Sequence, residues 1–318
     1  MSEALEFWNI GDDVSVRDAF GLILVHEAAQ RSDWMLLDAD VAGGTGAKPL
    51  VTANPERVVQ FGIAEQNMMA AAGGMADTGI TPVVSTFAAF GVMRAHEQFR
   101  TAIAFPGRNV KLCCSHIGLD VGPDGASAQM LEDLATMRAI PGVTVISPAD
   151  ANEFMLAFKA ILDHEGPVYM RIGRSGTPVV FDADHTFEIG KATRLREGSD
   201  VTVIATGVMV ARALTAAEQL AAEGVSVRVV NMATIKPIDV AEVVAAARDT
   251  KGIVSAEDHN IYGGLGSAVA ECLVQNHPAP MRFVGVKDSF GKSGEHDELP
   301  ALFGIDAAGI IAACKELI

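Results

Sequence analysis

Short apolar runs alternate with helical patterns along most of the chain, and this alternation is the feature that most limits how the chain can fold. The apolar runs are nearly continuous, as in WMLLDADV (34–41) and VTVIATG (201–207), rather than alternately polar and apolar. Continuous apolar strands are typical of parallel sheets that helices cover on both faces. The sequence therefore predicts an α/β fold of two doubly wound domains with mainly parallel sheets.

The predicted elements follow one another in regular order. We expect strands at 34–41, 81–86, 110–117, 143–148, 167–172, 201–207, 225–232, 252–257 and 281–286. We expect helices at 15–31, 63–77, 88–104, 149–163, 208–223, 239–248, 264–276 and 306–317. Ser15 followed by Asp18 gives the first helix a start that is similar to a capping box.

One stretch interrupts the alternation and indicates a domain boundary. Residues 174–200 are rich in Gly and charged side chains, and the strand–helix order resumes at Val201. A length of 318 residues also favours two domains. We therefore predict a first domain at 1–184 and a second at 185–318.

The composition argues against several classes of partner. The net charge is −16, whereas nucleic acid and anionic membranes attract clustered Lys and Arg. No apolar run approaches the roughly 18 residues that a membrane helix needs. The N-terminal stretch MSEALEFWNIGDD lacks the basic and apolar regions of a signal peptide, so we expect a cytoplasmic protein. None of the cysteines has metal-ligand spacing, and reduced core thiols are expected at Cys113, Cys114, Cys272 and Cys314.

The helix predicted at 63–77 carries a carboxylate, Glu65, in its first turn. Small and apolar residues surround almost its whole circumference, which is typical of a buried helix. The helix dipole favours an acidic first turn by about 0.3–1 kcal/mol. Glu65 alone therefore has a structural interpretation as good as a functional one.

Polar loops follow several predicted strands, at the place where open α/β sheets form their ligand sites. The loop SHIGLDVGPDG contains His116, Asp120 and Asp124. A loop of this kind more often only turns the chain, but this one is long and follows a buried strand.

Two further motifs are ambiguous in the same way. STFAAF ends a strand and starts a helix with Phe87, Phe90 and Met93 at helical spacing, a pattern that more often marks a core. RIGR places Arg171 and Arg174 at a strand end, where we expect one surface charge and one ligand for phosphate or carboxylate.

Two Gly-rich motifs do not indicate nucleotide binding. GGLGSAVA (263–270) does not directly follow an apolar strand and has no acidic residue about 20 positions on, as a dinucleotide fingerprint requires. It predicts a helix start with Gly for close packing. GKSG (291–294) lacks the spacing of a phosphate loop.

Taken together, the motifs resemble the transketolase family of thiamine diphosphate enzymes. GIAEQNMMAAAGGMADTG is similar to the family's catalytic-glutamate segment, and STFAAF is similar to its aromatic segment at the cofactor. SHIGLDVGPDGASAQMLEDLATMRAIPGVTVISPADANE resembles its substrate loop, and MRIGR matches a later strand end. NMATIKPID and EDHNIYGGLGSAVAE match its last domain. The resemblance runs from about residue 12 to the end of the chain.

The resemblance implies roles for particular residues. In the family, the glutamate that matches Glu65 hydrogen-bonds a ring nitrogen of the cofactor's aminopyrimidine, which activates the thiazolium carbon. The implied catalytic residues are Glu65 and His116, the implied cofactor contacts are Glu65, Phe87, Phe90 and Met93, and the implied substrate contacts are His116, Asp124 and Arg174. Ala128 stands where many members have a histidine near the reacting carbon, which puts the usual sugar-phosphate specificity in doubt.

The resemblance also implies a partner. Full-length members begin with a domain that binds the diphosphate through Gly-Asp-Gly and holds Mg²⁺ with an Asn pair, and this chain has neither motif. It resembles a second subunit made of the pyrimidine-binding domain (1–184) and the family's C-terminal domain (185–318). Thiamine diphosphate and Mg²⁺ would then lie mainly on a partner subunit, in an α2β2 complex, and the chain would self-associate through both of its domains.

Three functions remain open at this point. The first is transfer of a two-carbon ketol unit from a phosphorylated or otherwise anionic ketose to an aldose, as one subunit of a split transketolase. The second is the β subunit of a 2-oxoacid dehydrogenase E1 component, and the third is a non-catalytic binding protein with the same fold. The sequence does not tell which ketose or aldose is used, nor whether the substrate is phosphorylated, sulfonated or branched.

Overall fold

The computed structural model describes residues 5–318, and the strands in this range form three sheets. The strands are β1 (Asp13–Ser15), β2 (Trp34–Asp38), β3 (Val58–Gln60), β4 (Thr81–Phe87), β5 (Lys111–Ser115), β6 (Thr144–Ile146), β7 (Val168–Ile172), β8 (Gly176–Pro178), β9 (Thr193–Arg196), β10 (Val201–Ala205), β11 (Val227–Asn231), β12 (Thr234–Lys236), β13 (Ile253–Asn260) and β14 (Met281–Val286).

The helices lie between these strands. The α-helices are α1 (Val16–Gln30), α2 (Ala42–Thr45), α3 (Lys48–Ala53), α4 (Glu65–Ala76), α5 (His96–Gln98), α6 (Asp133–Ala139), α7 (Ala151–Asp163), α8 (Met209–Ala222), α9 (Val240–Asp249), α10 (Leu265–Asn276), α11 (Leu299–Phe303) and α12 (Ala307–Lys315). Pro55–Arg57 and Leu119–Asp124 are 3-10 turns, and Ala89–Arg94 and Phe99–Ala104 are π-helical.

The first large sheet has the order β12-β6-β7-β5-β4-β2-β3, and every pair except β12–β6 is parallel. Strand β12 comes from the second half of the chain and pairs antiparallel with β6. The second sheet has the order β14-β13-β10-β11-β9, with only β9 antiparallel among its described strands. A small antiparallel pair, β1–β8, joins the start of α1 to the end of β7.

The core is layered as a doubly wound fold requires. One apolar cluster lies between the first sheet and helices α1 and α7, and another covers the outer face of the second sheet beneath α8 and α12. The third cluster is continuous between the domains, because it joins Met68 and Val92 to Ile235 and Leu265. The two halves of the chain therefore share a core.

Local sequence explains where the first helix begins. Ser15 is the N-cap of α1, and its hydroxyl accepts the N–H of Arg17, with Asp18 in the first turn. Helix α4 buries Met68, Met69 and Ala72 but leaves its other face exposed. The buried helix predicted at 63–77 is thus buried on one face within a single chain.

The predicted α/β class is confirmed, and each predicted strand and helix is present, with ends that differ by at most three residues. The structure also contains elements that we did not predict, among them β3, β12, α3 and α6. Residues 174–200 contain β8 and β9, two strands that we did not predict and that pair with distant β1 and β11. The segment predicted as one helix at 88–104 is π-helical on both sides of a short α-helix.

Two predictions about small motifs are also confirmed. The four cysteines are buried free thiols in the described range. GGLGSAVA starts α10, and a Cβ on Gly264 or Gly266 would lie 2.0 or 2.3 Å from the side chains of Glu257 and Phe283. Glycine is required there for close packing, as predicted.

Candidate active site

The carboxyl ends of the parallel strands bring the predicted site residues to one edge of the first sheet. Because β7, β5 and β4 are neighbours in register, Ile172, Ser115 and Phe87 lie side by side. The residues that follow these strand ends are therefore neighbours too. Strands β2 and β3 extend the same edge, and α4 begins five residues after β3 ends.

Glu65 begins α4 with a buried carboxylate. Its side chain is 2% exposed, and Arg94 donates a hydrogen bond to Oε2 over 2.9 Å. Oε1 is buried and has no hydrogen-bond partner among residues 5–318. A buried acceptor without a partner costs about 1–3 kcal/mol, so Oε1 is suited to a ligand that donates a hydrogen bond.

Aromatic rings are stacked beside this carboxylate. The rings of Phe87 and Phe90 stack with centroids 5.5 Å apart, and Arg94 lies over the Phe90 ring with its guanidinium carbon 4.3 Å from the centroid. The loop after β2 also comes close, since a Cβ on Gly44 would lie only 2.7 Å from Phe87. These side chains give the surroundings of the carboxylate an aromatic, apolar character.

His116 stacks on Phe87, with ring centroids 3.5 Å apart. Its backbone has φ of 62°, and Nδ1 lies 2.9 Å from Ser115 Oγ while Nε2 lies 3.3 Å from Asp124 Oδ2. Burial, and next the nearby charge of Arg174, lower the pKa of His116 to about 4. The imidazole is therefore neutral near pH 7, with one nitrogen that donates and one that accepts.

Arg174 is held at the site through its backbone and its side chain. Its N–H donates to Asp120 Oδ2 over 2.6 Å, and its Nη1 donates to the carbonyl of Val121. Nη2 lies 3.5 Å from Asp124 Oδ1, and Nε is buried without a partner in the described part of the chain. A partly exposed guanidinium with a free donor is suited to bind an anion.

Arg17 is a second cation at this place that the sequence did not single out. Its Nε donates to the carbonyl of Arg174 over 3.0 Å, and its Nη1 donates to the carbonyl of Gly44 over 3.2 Å. The β1–β8 pair explains this approach, because it aligns Ser15 with Gly176. Arg17 also contributes to the lowered pKa of His116, which shows that its charge acts on the site.

The structure brings together most of the predicted site residues. Glu65, Phe87 and Phe90 form one end of the site, and His116, Asp124 and Arg174 form the other. Met93 is 46% exposed, and the contacts to Glu65 and Phe90 come from the next residue, Arg94. Its predicted cofactor contact remains a prediction.

Arg171 corrects one sequence interpretation. Neither arginine of RIGR is a simple surface charge, because Arg171 is 2% exposed and pairs with Asp133 through Nε at 2.6 Å and Nη2 at 2.5 Å. Asp133 also accepts the hydroxyl of Tyr169. Arg171 of β7 thus lies in the core, whereas Arg174, two residues after the end of the strand, lies at the site.

The residues at this edge fit a flat heteroaromatic ring that donates a hydrogen bond. Glu65 Oε1 is a buried orphan acceptor beside stacked aromatic rings, which fits a flat ring with an N–H. Within residues 5–318, no group of three or more His, Cys, Asp or Glu side chains is arranged to hold a metal ion. In the same range, no helix is long and apolar enough to cross a membrane.

Comparison with protein families gives two matches that together span most of the chain. A model described as the transketolase pyrimidine binding domain matches residues 12–179, and one described as the transketolase C-terminal domain matches residues 190–310.

Individual relatives match over nearly their whole length. A 6-deoxy-6-sulfo-D-fructose transketolase subunit of Clostridium sp. (strain MSTE9) is 41% identical, covering 95% of this chain and 94% of that protein. An apulose-4-phosphate transketolase subunit of Phocaeicola vulgatus is 34% identical, covering 96% of this chain and 98% of that protein. A solved structure described as a split gene transketolase, inactive beta4 tetramer, superposes with a TM-score of 0.89 at 43% identity, covering 96% and 98%.

Proposed function

The chain belongs to the transketolase family, and we propose that it is the subunit of a split transketolase that presents the pyrimidine-binding face of the active site. With a partner subunit it transfers a two-carbon ketol unit from an anionic ketose to an aldose. The observation that carries this proposal is Glu65, whose buried carboxylate has one oxygen held by Arg94 and one without a partner beside stacked Phe rings. The domain boundary near residue 185 is part of the proposal.

Thiamine diphosphate supplies the carbanion chemistry of ketol transfer when it is bound, and the protein positions and tunes it. On this chain, Glu65 Oε1 is the atom placed to share a proton with a pyrimidine ring nitrogen. Phe87 and Phe90 are proposed to flank the ring. Met93 is proposed to line the rim of this surface.

His116 and Asp124 are proposed to bind substrate hydroxyls. His116 is neutral because its pKa is about 4, so its ring nitrogens, now beside Ser115 Oγ and Asp124 Oδ2, can exchange those partners for substrate hydroxyls. The side chain of Asp124 is 39% exposed beside His116 Nε2, and it can accept a hydrogen bond from a substrate hydroxyl there. Hydrogen bonds from these two side chains fix the sugar chain relative to Glu65. Such positioning accelerates a bimolecular transfer.

Arg174 is proposed to bind the anionic end of the ketose. Arg17 supports it through the carbonyl of Arg174 and adds a second positive charge. The relatives named for 6-deoxy-6-sulfo-D-fructose and for apulose-4-phosphate carry, in those names, a sulfonate and a phosphate. Both groups present tetrahedral oxyanions, so the proposed ligand of Arg174 is an oxyanion of this shape.

A partner subunit completes the site. The described residues contain no metal-binding cluster, and both matched family models belong to the pyrimidine-binding and C-terminal parts of transketolase. We propose that the partner holds the diphosphate and Mg²⁺ in an α2β2 complex. The solved relative described as a split gene transketolase supports a division of the enzyme between two chains.

Reconstitution tests the proposal. The chain and a candidate partner with a Gly-Asp-Gly diphosphate-binding domain are purified separately and mixed with thiamine diphosphate and Mg²⁺. Ketol transfer from a ketose phosphate and from a ketose sulfonate to an aldose is then followed by mass spectrometry. The proposal is supported if the mixture transfers the ketol unit and the Glu65→Gln substitution abolishes that transfer. Oxidative decarboxylation of a 2-oxoacid without ketol transfer would instead assign the chain to a dehydrogenase.

A further inference from the structure

A carboxylate of the C-terminal domain reaches into the substrate loop of the first domain. Asp258 lies near the end of β13 and is 2% exposed. Its Oδ1 accepts the N–H of Leu119 over 2.8 Å, and its Oδ2 accepts the N–H of Asp120 over 3.1 Å. These residues are about 140 positions away in sequence, so the contact exists only because the two domains are packed together.

The loop is shaped to receive this carboxylate. Gly118 has φ of 61°, in the left-handed region, and a Cβ there would lie 2.3 Å from the carboxylate of Asp258. A side chain at this position would therefore both strain the backbone and displace Asp258. The side chain of Leu119 belongs to the apolar core of the C-terminal domain. The loop is thus anchored in the second domain by a polar and an apolar contact.

The backbone of Asp258 is fixed as well. Arg171 donates from Nη1 to the carbonyl of Asp258 over 3.2 Å while its other nitrogens pair with buried Asp133. The carboxylate and the carbonyl of one residue are therefore both bonded to the first domain. Asp258 is thus fixed at both its side chain and its backbone, and its carboxylate defines where the N–H groups of Leu119 and Asp120 lie.

The anchored loop carries the anion site. The carboxylate of Asp120 accepts the N–H of Arg174 over 2.6 Å and of Ser175 over 3.0 Å. The carbonyl of Val121 accepts Nη1 of Arg174. The position of Arg174 is therefore set by the two residues that follow Leu119, and Asp258 sets the start of that segment.

We propose that Asp258 is a positioning residue for the anion site, through which the C-terminal domain determines where Arg174 presents its guanidinium. The identity of the anion rests on the proposed function, but the geometric connection from Asp258 to Arg174 does not.

Glu257 is a matched control next to Asp258 in sequence. It is equally buried and also accepts two backbone N–H groups, from Leu265 and Gly266 of α10. Those bonds lie within the C-terminal domain, so Glu257→Gln disturbs a similar interaction without touching the loop. Asp258→Asn keeps the size of the side chain and loses one of the two acceptors.

Amide hydrogen exchange of the purified chain tests the connection without requiring activity. In Asp258→Asn, exchange in the segments 117–124 and 173–176 should rise by at least about tenfold, as expected for loss of a hydrogen bond to a charged group. In Glu257→Gln, the increase should be confined to the start of α10. Unchanged exchange in 117–124 in Asp258→Asn would overturn the proposal, whether or not the chain proves to be a transketolase subunit.

Kinetics of the reconstituted complex test the consequence for substrate binding. Asp258→Asn should raise KM for an anionic ketose by about tenfold or more, the scale of a small misplacement of a binding group. Its kcat and its KM for a neutral analogue should change much less. In an Arg174→Ala background the effect on KM should disappear, because the two residues act as one unit. If Asp258→Asn raised KM equally in the wild-type and Arg174→Ala backgrounds, Asp258 would have only a general structural role and the proposal would be refuted. An equal rise in KM from Glu257→Gln would refute it in the same way.

Discussion

Arg94 donates to Oε2 of Glu65 over 2.9 Å, and the second oxygen of that carboxylate is buried with no partner in residues 5–318. The two oxygens therefore have different surroundings. One is held by a guanidinium that also lies over the Phe90 ring, and the other is the atom that we propose bonds the cofactor. This asymmetry orients the carboxylate before any ligand is bound, which is how a preorganised acid–base group gains its efficiency.

The first prediction concerns Glu65→Gln. The amide keeps the size and a hydrogen bond but cannot supply a carboxyl proton, so ketol transfer by the complex should fall at least ~10²-fold, the usual scale for a lost acid–base group. Initial rates at saturating thiamine diphosphate measure it. Glu97→Gln, an exposed glutamate on the neighbouring helix α5, should retain nearly full activity. Near-normal turnover of Glu65→Gln would show that this carboxylate is structural.

The second prediction concerns Arg94→Ala. If Arg94 acts by orienting Glu65, its removal should lower kcat in the wild-type background but have little further effect in the Glu65→Gln background. Contacting groups of this kind couple by about 0.5–3 kcal/mol. A double-mutant cycle on kcat measures the coupling. Equal losses in both backgrounds would indicate that Arg94 acts elsewhere, for example at a subunit contact.

The third prediction concerns Arg174→Ala. Loss of a partly buried charge contact to a phosphate or sulfonate should reduce kcat/KM by roughly 2–4 kcal/mol. A neutral substrate analogue should be affected much less, because it makes no ion pair. Parallel kinetics with both substrates and with Arg248→Ala, an exposed arginine on α9, provide the comparison. Losses of the same size for both substrates would contradict an anion-binding role.

The fourth prediction concerns the charge of His116. Burial and Arg174 lower its pKa to about 4 from 6.5, so the folded chain keeps the ring neutral where the unfolded chain would protonate it. The contribution of His116 to stability is therefore complete above about pH 6.5 and is lost as the pH falls toward 4. The imidazole NMR signal of His116 is identified as the one that is missing in His116→Gln. Its titration with pH should give a midpoint well below 5.5. A midpoint near 6.5 would contradict the buried, neutral ring.

The aromatic and glutamate segments could be predicted from sequence because their signals are local. Glu65 lies in a first helical turn, and Phe87 ends an apolar strand, so a short window shows both. The order of the strands in the sheet then places both residues at the same edge. The resemblance of several motifs in sequence order made their shared role specific.

The remaining contacts could not be predicted because they depend on tertiary packing. Arg17 meets Arg174 across 157 positions through the β1–β8 pair, and Asp258 meets Leu119 across 139 positions through domain packing. Neither contact can be recognised from a short stretch of the sequence.

The contact of Arg94 has a different cause. The N–H of Ala95 bonds to the carbonyl of Phe90, five residues back, so this turn is wider than an α-helical turn. Helical spacing had predicted Met93 beside Phe90, but Arg94, at i+4 and so also a helical neighbour of Phe90, is the residue that lies over the ring. Bulges of this type are rare, and propensity does not reveal them.

The exposed face of α4 is the surface for the last prediction. Ile63 is 78% exposed just before the helix, and Ala70 and Gly74 are exposed along it, opposite the buried Met68 and Met69. Small residues allow two backbones to approach closely. A solved structure that is similar to this chain is described as an inactive beta4 tetramer.

The fifth prediction is that the isolated chain self-associates, at least as a dimer, yet binds thiamine diphosphate poorly and catalyses nothing until the partner is added. Ala70→Arg should prevent self-association without unfolding the chain, because Ala70 is exposed and a desolvated charge at an interface is costly. Ala221→Arg, at an exposed position of α8, is the matched control and should leave the mass unchanged.

Light scattering after size exclusion gives the mass of the assembly, and calorimetric titration with and without Mg²⁺ gives cofactor binding. Adding the partner should then produce an α2β2 mass together with Mg²⁺-dependent ketol transfer, since Mg²⁺ requires the oxygen ligands that we assign to that subunit. Full activity of this chain alone would overturn the division of the site between two subunits, and a wild-type mass for Ala70→Arg would exclude this face of α4 from the contact.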